Sequence, residues 1–306
     1  MELDVRQGRL LHVSRSGAGE AGTSAPGRLP QACAGTEGEP ITDKPNRELR
    51  LLCAHPLLTL GWYRYGEGER GAEPHVHREH SDAFYVLDGQ ITVRLGPALE
   101  PVVATAGTLV AIPAGVVHAF DNDGPGEARF LNLHAPDGGF ARYLRTREEE
   151  GFDSYDPPPD GGRPAADAIV RGPGEGNLLE LGPNRLLMKA EVGDGDGTFY
   201  LGELTLADFP GPPPHVHERH LDSFFVLDGT LTLRLGEETV QAAADSYAYV
   251  PPGNVHTFSS TGGRVRALNV MAPAGFEQYL KEAAAAGTSD PAELAQIAAR
   301  YDFRPV

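Results

Sequence analysis

Short runs in which apolar and polar residues alternate recur along this chain, and they predict strands. Ile91–Leu95 (ITVRL) and Leu231–Leu235 (LTLRL) alternate with a period of two, as a strand with one buried face must. Leu57–Tyr65 (LLTLGWYRY), Thr108–Ile112 (TLVAI) and Arg129–His134 (RFLNLH) carry denser apolar runs and predict strands in a core. Gly (38 residues) and Pro (26) punctuate these runs at short intervals, which predicts an all-β protein. Helical spacing is confined to short pieces. Gly139–Arg145 is one. Ala292–Tyr301 is another: Asp290 stands at its N-cap, Pro291 at its first position and Glu293 where a capping box needs it, with Leu294, Ile297 and Ala298 on one face.

The strand pattern occurs twice. Asn46-Arg47 corresponds to Asn184-Arg185, Leu57–Tyr65 to Phe199–Phe209, and Ile112–Gly115 to Val250–Gly253. Asn132–Leu144 (NLHAPDGGFARYL) corresponds to Asn269–Leu280 (NVMAPAGFEQYL) with one residue deleted. A period of about 140 residues is far longer than a solenoid repeat and indicates a duplicated domain. The expected organisation is a flexible arm over 1–45, a first domain over 46–150, a Pro/Gly-rich linker over 151–176, a second domain over 177–288 and a terminal helix within 289–306. Pro157–Pro159 should make the linker extended and stiff.

Composition narrows the partners. With 306 residues, 40% hydrophobic and 23% charged, the chain can bury two ordinary cores. A net charge of −17 argues against nucleic acid or an anionic membrane, both of which need a basic surface, and leaves a small-molecule partner. Cys33 and Cys53 form no disulfide framework, and no stretch reads as a secretory h-region or a span of ~20 apolar residues. The expectation is a cytoplasmic protein.

The chemistry sits in Pro74–Gly89 (PHVHREHSDAFYVLDG) and its copy Pro214–Gly229 (PHVHERHLDSFFVLDG). Residues i and i+2 of a strand share a face, so His75 and His77 converge, as do His215 and His217. His118 and His256 each follow a Pro/Gly turn, and Asp82 and Asp222 each precede an aromatic strand. Three imidazoles and a carboxylate suit Fe, Mn, Ni or Zn as a divalent ion, with coordination positions left open. An isolated His-x-His is more often a satisfied strand histidine than a ligand pair; its recurrence with matched partners favours metal. His80 and His220 are alternative ligands or loop histidines outside the site.

These residues resemble the cupin superfamily, and their duplication resembles a bicupin. The family's first motif falls on His75, His77, Asp82 and Gly89, and its second on Gly107, Pro113, Gly115, His118 and Asn122. In the second half they fall on His215, His217, Asp222 and Gly229, then Pro251, Gly253 and His256, with Asp245 in place of the leading Gly and Ser260 in place of the trailing Asn. The resemblance implies two tandem jelly-roll (double-stranded β-helix) barrels with their ligands pointing inward, and one divalent metal per barrel. It also implies that Asp82 and Asp222, where the family usually has the longer Glu, hold metal and take a substrate proton. The strand FYVLDG and the segment P-x-GF-x-x-YL are most similar to bacterial quercetinase-like bicupins, which implies a dioxygenase acting with O2 on a flavonol-like or other small oxygenated aromatic. A metal-dependent isomerase or lyase, or a non-catalytic binding cupin, needs the same ligands. A homodimer is the expected assembly.

Further candidates are less specific. Phe84, Val86, Phe224 and Val226 share strand parity with the acids and are expected in the core. Trp62, Tyr63 and Tyr65 are strand aromatics that could line a pocket. His134 aligns with Met271, so its role belongs to one half only. Glu79, Glu218 and Glu148–Glu150 are taken as solvated charges.

Overall fold

The computed structural model describes residues 3–4, 11–12, 31–34, 37–288 and 290–306. They form two compact units. One comprises Gly38–Asn177 and Lys189–Phe199; the other comprises residues up to Glu37, Leu178–Met188 and Tyr200–Val306.

In the first unit a seven-stranded sheet runs, in spatial order, Ile169–Arg171, Leu109–Ile112, Ser81–Asp88, Ala128–Ala135, Leu58–Tyr65, Arg47–His55 and Glu39–Lys44. A second sheet holds His118–Asp121, Gln90–Leu95 and Glu100–Thr105. In the alternating run around Ile91, Ile91, Val93 and Leu95 are buried and Arg94 is not, while Thr92 on the polar face is buried with its hydroxyl donating to Asp123. Phe84, Val86, Phe120 and Phe130 pack with them into one apolar cluster. Burying each such side chain contributes roughly 1.5–3 kcal/mol before chain entropy is counted.

The second unit repeats this plan with one change. Its strand His256–Ala272 serves both layers, pairing first with Thr230–Leu235 and then with Leu221–Asp228 and Tyr200–Phe209. In the first unit the equivalent path is broken after Asp121, where Asn122 donates to the carbonyls of Tyr65, Gly66 and Gly126 and holds the loop. Ser260, at that position in the second unit, accepts from Phe209 N–H at 3.1 Å and lets the strand run on. The substitution of Asp245 for the leading motif glycine preserves the turn. Gly107 has φ 85° and Asp245 φ 64°, and each N–H donates at 2.8 Å to the carbonyl of Val86 or Val226. Asp is among the few side chains that tolerate this left-handed region.

Three segments behave differently from their composition. Gln31–Ala34 and Glu39–Lys44, in the stretch expected to be a flexible arm, are strands; Gln31–Ala34 pairs with Ser246–Val250, and Ala32 joins the core there. The Pro/Gly-rich stretch expected as a linker packs: Ile169–Arg171 extends the first sheet, and Tyr155 exchanges backbone hydrogen bonds with Val76. Backbone pairing at a sheet edge asks little of side chains, so composition does not announce it. Asp290 does cap the helix Pro291–Ala298, accepting from Ala292 N–H at 2.9 Å. That helix stops at Ala298, and beyond it Asp302 and Phe303 reach the second histidine cluster. A second helix, Glu277–Ala286, precedes it, at the P-x-GF-x-x-YL segment.

Candidate metal centre

Each sheet unit brings the scattered histidines to one point. In the first, antiparallel pairing of His75 with His118, and of His134 with Asp82, sets the register. A ligand atom from each of His75, His77, Asp82 and His118 then lies within 4.8 Å of the others. In the second, His215 pairs with His256, and His215, His217 and His256 converge within the same limit. Asp222 lies beside that trio, its Oδ2 3.2 Å from His256 Nε2, as Asp82 Oδ2 lies 3.2 Å from His118 Nε2. Asn132 and Asn269 donate to the other carboxylate oxygen, at 2.5 and 2.6 Å, and keep each acid turned inward.

The donor set fits a divalent transition metal. The Nδ1 atoms of His75 and His118 donate to the carbonyls of Glu73 (2.8 Å) and Val116 (3.0 Å), and that of His77 donates to Asp153. The second cluster repeats this with Pro213 (3.0 Å), Asp302 and Asn254 (3.2 Å). A proton held on Nδ1 leaves the Nε2 lone pair free to ligate. His77 Nε2 is buried with no hydrogen-bond partner, a costly arrangement for the protein alone and the one expected of an atom meant for a cation. Burial, followed by the neighbouring imidazole, pushes His75 down to about 4 and His215 to about 3, and burial also lowers His77 and His217. His75, His77, His215 and His217 are therefore neutral at pH 7. For Asp222 burial acts upward, but hydrogen bonding and charge from His256 prevail and hold it below the usual carboxylate range.

His80 and His220 point elsewhere. Nδ1 of His80 donates to Asp153 Oδ2 at 2.8 Å, and Nδ1 of His220 to Asp302 Oδ2 at 2.6 Å. His80 Nε2 then accepts from His134 Nδ1 at 2.8 Å, while His134 stacks on Phe140 at 3.6 Å and places Nε2 3.5 Å from Asp82 Oδ1. A buried string Asp153–His80–His134–Asp82 thus leads to the first cluster, and burial keeps His134 well below the usual histidine range. His77, His80 and His134 themselves lie close enough to form a second ligand group. Met271 interrupts the string in the second unit, which is what the alignment of His134 with Met271 implied.

The residues missed in the sequence are Asp153 and Asp302. Each caps the loop after its His-x-His: Asp153 accepts from Arg78 and Glu79 N–H, and Asp302 from Glu218, Arg219 and His220 N–H. The Asp302 carboxyl is held down at about 2: burial acts upward, but the bond from the His220 ring, followed by these amides, outweighs it. A signal for the pair exists, since Phe152-Asp153 and Tyr301-Asp302 are each an aromatic followed by Asp, but the flanking composition looks like linker and tail. Glu218, taken as a solvated charge, pairs with Arg304 at 2.5 Å.

The first cluster opens into a cavity of about 720 Å³. His75, Asp82 and His134 line it, and Tyr63, Tyr65, Phe120, Phe140, Tyr143, Phe152 and Tyr155 supply aromatic walls. Arg47 at its edge is neutralised by Glu69 at 2.6 Å.

The family model described as "Cupin domain" matches residues 61–134 and 206–271. The quercetin 2,3-dioxygenase of Bacillus subtilis is 22% identical over 249 residues, covering 68% of this chain and 71% of that protein. A glyoxylate-induced protein from Pseudomonas aeruginosa superposes with a TM-score of 0.59 at 14% identity, over 83% of this chain and 92% of its own. Bacillus subtilis oxalate decarboxylase, a protein with Mn(II) centres, superposes with a TM-score of 0.58 at 14% identity, over 84% and 80%.

Proposed function

The chain is a bicupin of the cupin superfamily, and from that premise we propose that it is a metal-dependent dioxygenase of quercetinase type, with its substrate site in the first barrel. The cavity carries this reading. About 720 Å³ lined by seven aromatic side chains is the size and lining of a site for a ring-bearing small molecule, and is far more than a two-carbon acid needs. The sequence similarity to a quercetin 2,3-dioxygenase supports the same substrate class. The likeness to oxalate decarboxylase is one of fold, which hosts many reactions.

His75, His77, His118 and Asp82 would hold the metal, as His215, His217, His256 and Asp222 would in the second barrel. When bound, the metal supplies a Lewis-acidic centre with open coordination positions and access to one-electron chemistry. The protein's own residues do the rest. Tyr63, Phe120 and Phe140 present apolar surface to a planar ring and exclude water. Asp82 lines the cavity and takes the proton of an entering hydroxyl, while Asn132 fixes its Oδ1. His134, bonded to His80 and stacked on Phe140, closes the cavity wall beside Asp82.

Aerobic incubation of protein loaded with Fe, Mn, Co or Ni with a panel of flavonols and catechols tests the proposal, read by loss of the substrate's visible absorbance and by oxygen uptake. Absence of turnover across all metals refutes it. Turnover of a small oxygenated metabolite without oxygen uptake instead establishes an isomerase or lyase.

A further inference from the structure

The two metal clusters are built alike, yet the segment that anchors each one ends differently. Tyr155 pairs with Val76 in the first barrel, and Arg304 with Val216 in the second, so Asp153 matches Asp302 and Ser154 matches Phe303. The matched aspartates confirm the alignment, since each carbonyl takes the Nδ1 proton of the central histidine.

At that one position the barrels diverge. Ser154 is small and lines the open cavity beside His75, which is itself only partly buried. Phe303 stacks on His215, the equivalent ligand, with ring centres 4.4 Å apart and planes inclined by 25°. It stacks further on Tyr279 at 5.1 Å and on Phe276 at 6.2 Å, and His215 is only 2% exposed. The strand Arg304–Pro305 fastens the ring in place by pairing with His215–Val216, as does the bond from Val306 N–H to Pro214 O at 3.0 Å. The aromatic wall also thins in the second barrel, where Leu204 and Leu206 stand at the positions of Tyr63 and Tyr65.

We propose that Phe303 seals the second metal site against substrate, so that its ion is structural, and that the residue after the anchoring aspartate decides whether a barrel admits a ligand. This rests on metal binding by both clusters, as proposed above. It does not depend on which reaction the first barrel performs.

Protein loaded with Co(II) tests it, because the visible bands of the ion respond to each added ligand. Cobalt is counted first, by atomic absorption. The aromatic chelator 4-nitrocatechol is then titrated, and the number of perturbed ions per chain is read. Two cobalt ions and one responding ion are expected for the wild-type chain. Ser154→Phe should keep both ions and abolish the response; Phe303→Ser should raise the response to two ions. If Phe303→Ser does not fold, Ser154→Phe decides the matter alone, since it fills a cavity instead of emptying one. Two responding ions in the wild type, or an unchanged response in folded Ser154→Phe, overturns the proposal. A single cobalt per chain lost in His75→Ala also overturns it, and the metal count shows in that case that the two-metal premise failed and not the seal.

Discussion

Replacing Asp153 by alanine should loosen the first cluster without removing any ligand to its metal. The carboxylate accepts three hydrogen bonds: from Arg78 N–H at 3.1 Å, Glu79 N–H at 2.7 Å and His80 Nδ1 at 2.8 Å. A hydrogen bond to a charged group is worth roughly 1.5–3 kcal/mol. Arg78 and Glu79 are exposed, so water can replace most of what their amides lose; His80 is buried and cannot be rehydrated. A net loss of about 3–4 kcal/mol therefore follows, most of it from the His80 end. The carbonyl of residue 153 orients His77, and an untethered carbonyl should lower metal affinity ~10–100-fold, as loss of an outer-shell partner commonly does. Asp153→Asn keeps one acceptor oxygen and should lose about half as much. Urea unfolding of the metal-free protein gives the first quantity, and competition with a chromophoric chelator gives the second. An alanine variant within ~1 kcal/mol of wild type, with metal affinity unchanged, would refute the anchoring role.

Other outcomes follow from the same geometry. His75→Ala and His215→Ala should each lose about one equivalent of metal while the other cluster stays filled, a count that atomic absorption gives directly. His134→Met copies the second barrel; metal content should hold while stability by urea unfolding falls about 1–3 kcal/mol, since buried His80 Nε2 loses its donor, and an unchanged midpoint would exclude that role. Without metal, His75 (about 4) and His215 (about 3) titrate below the unfolded histidine value of ~6.5. Because their folded values are depressed, their stabilisation is complete above ~6.5 and drains away as the pH falls toward 4 and 3. Melting temperature of the metal-free chain across that window checks the sign, and a flat profile contradicts it. Phe84→Ala, at a fully buried position, should cost about 3–5 kcal/mol by urea unfolding.

Local pattern alone determined a good deal. Alternation located Gln90–Leu95 and Thr230–Leu235. The Asp-Pro pair located the start of Pro291–Ala298, and the matched motifs located both histidine clusters with the acids beside them. These are statements about neighbours: strand parity puts His75 and His77 on one face, and a side chain two residues from a helix start can cap it. Duplication strengthened them, because one pattern found twice is hard to mistake for chance.

What only the tertiary structure decided involves groups far apart in the chain. Nothing near His80 says that it bonds Asp153 and His134 instead of joining the ligands; that depends on where two distant segments arrive. Gln31–Ala34 is a strand because a sheet edge offered it hydrogen bonds, not because its residues favour strands; Ile169-Val170 do favour a strand, but the Pro/Gly-rich residues around them hide it. The difference between the barrels is of the same kind. Ser154 and Phe303 are unremarkable positions in a Pro/Gly-rich stretch and a tail, and they face the metal sites only because an aspartate beside each is bound by the loop after His-x-His. Sequence periodicity sets which way a residue faces along its own strand. Which other segment it meets is set by packing and by the buried donors that packing leaves to satisfy.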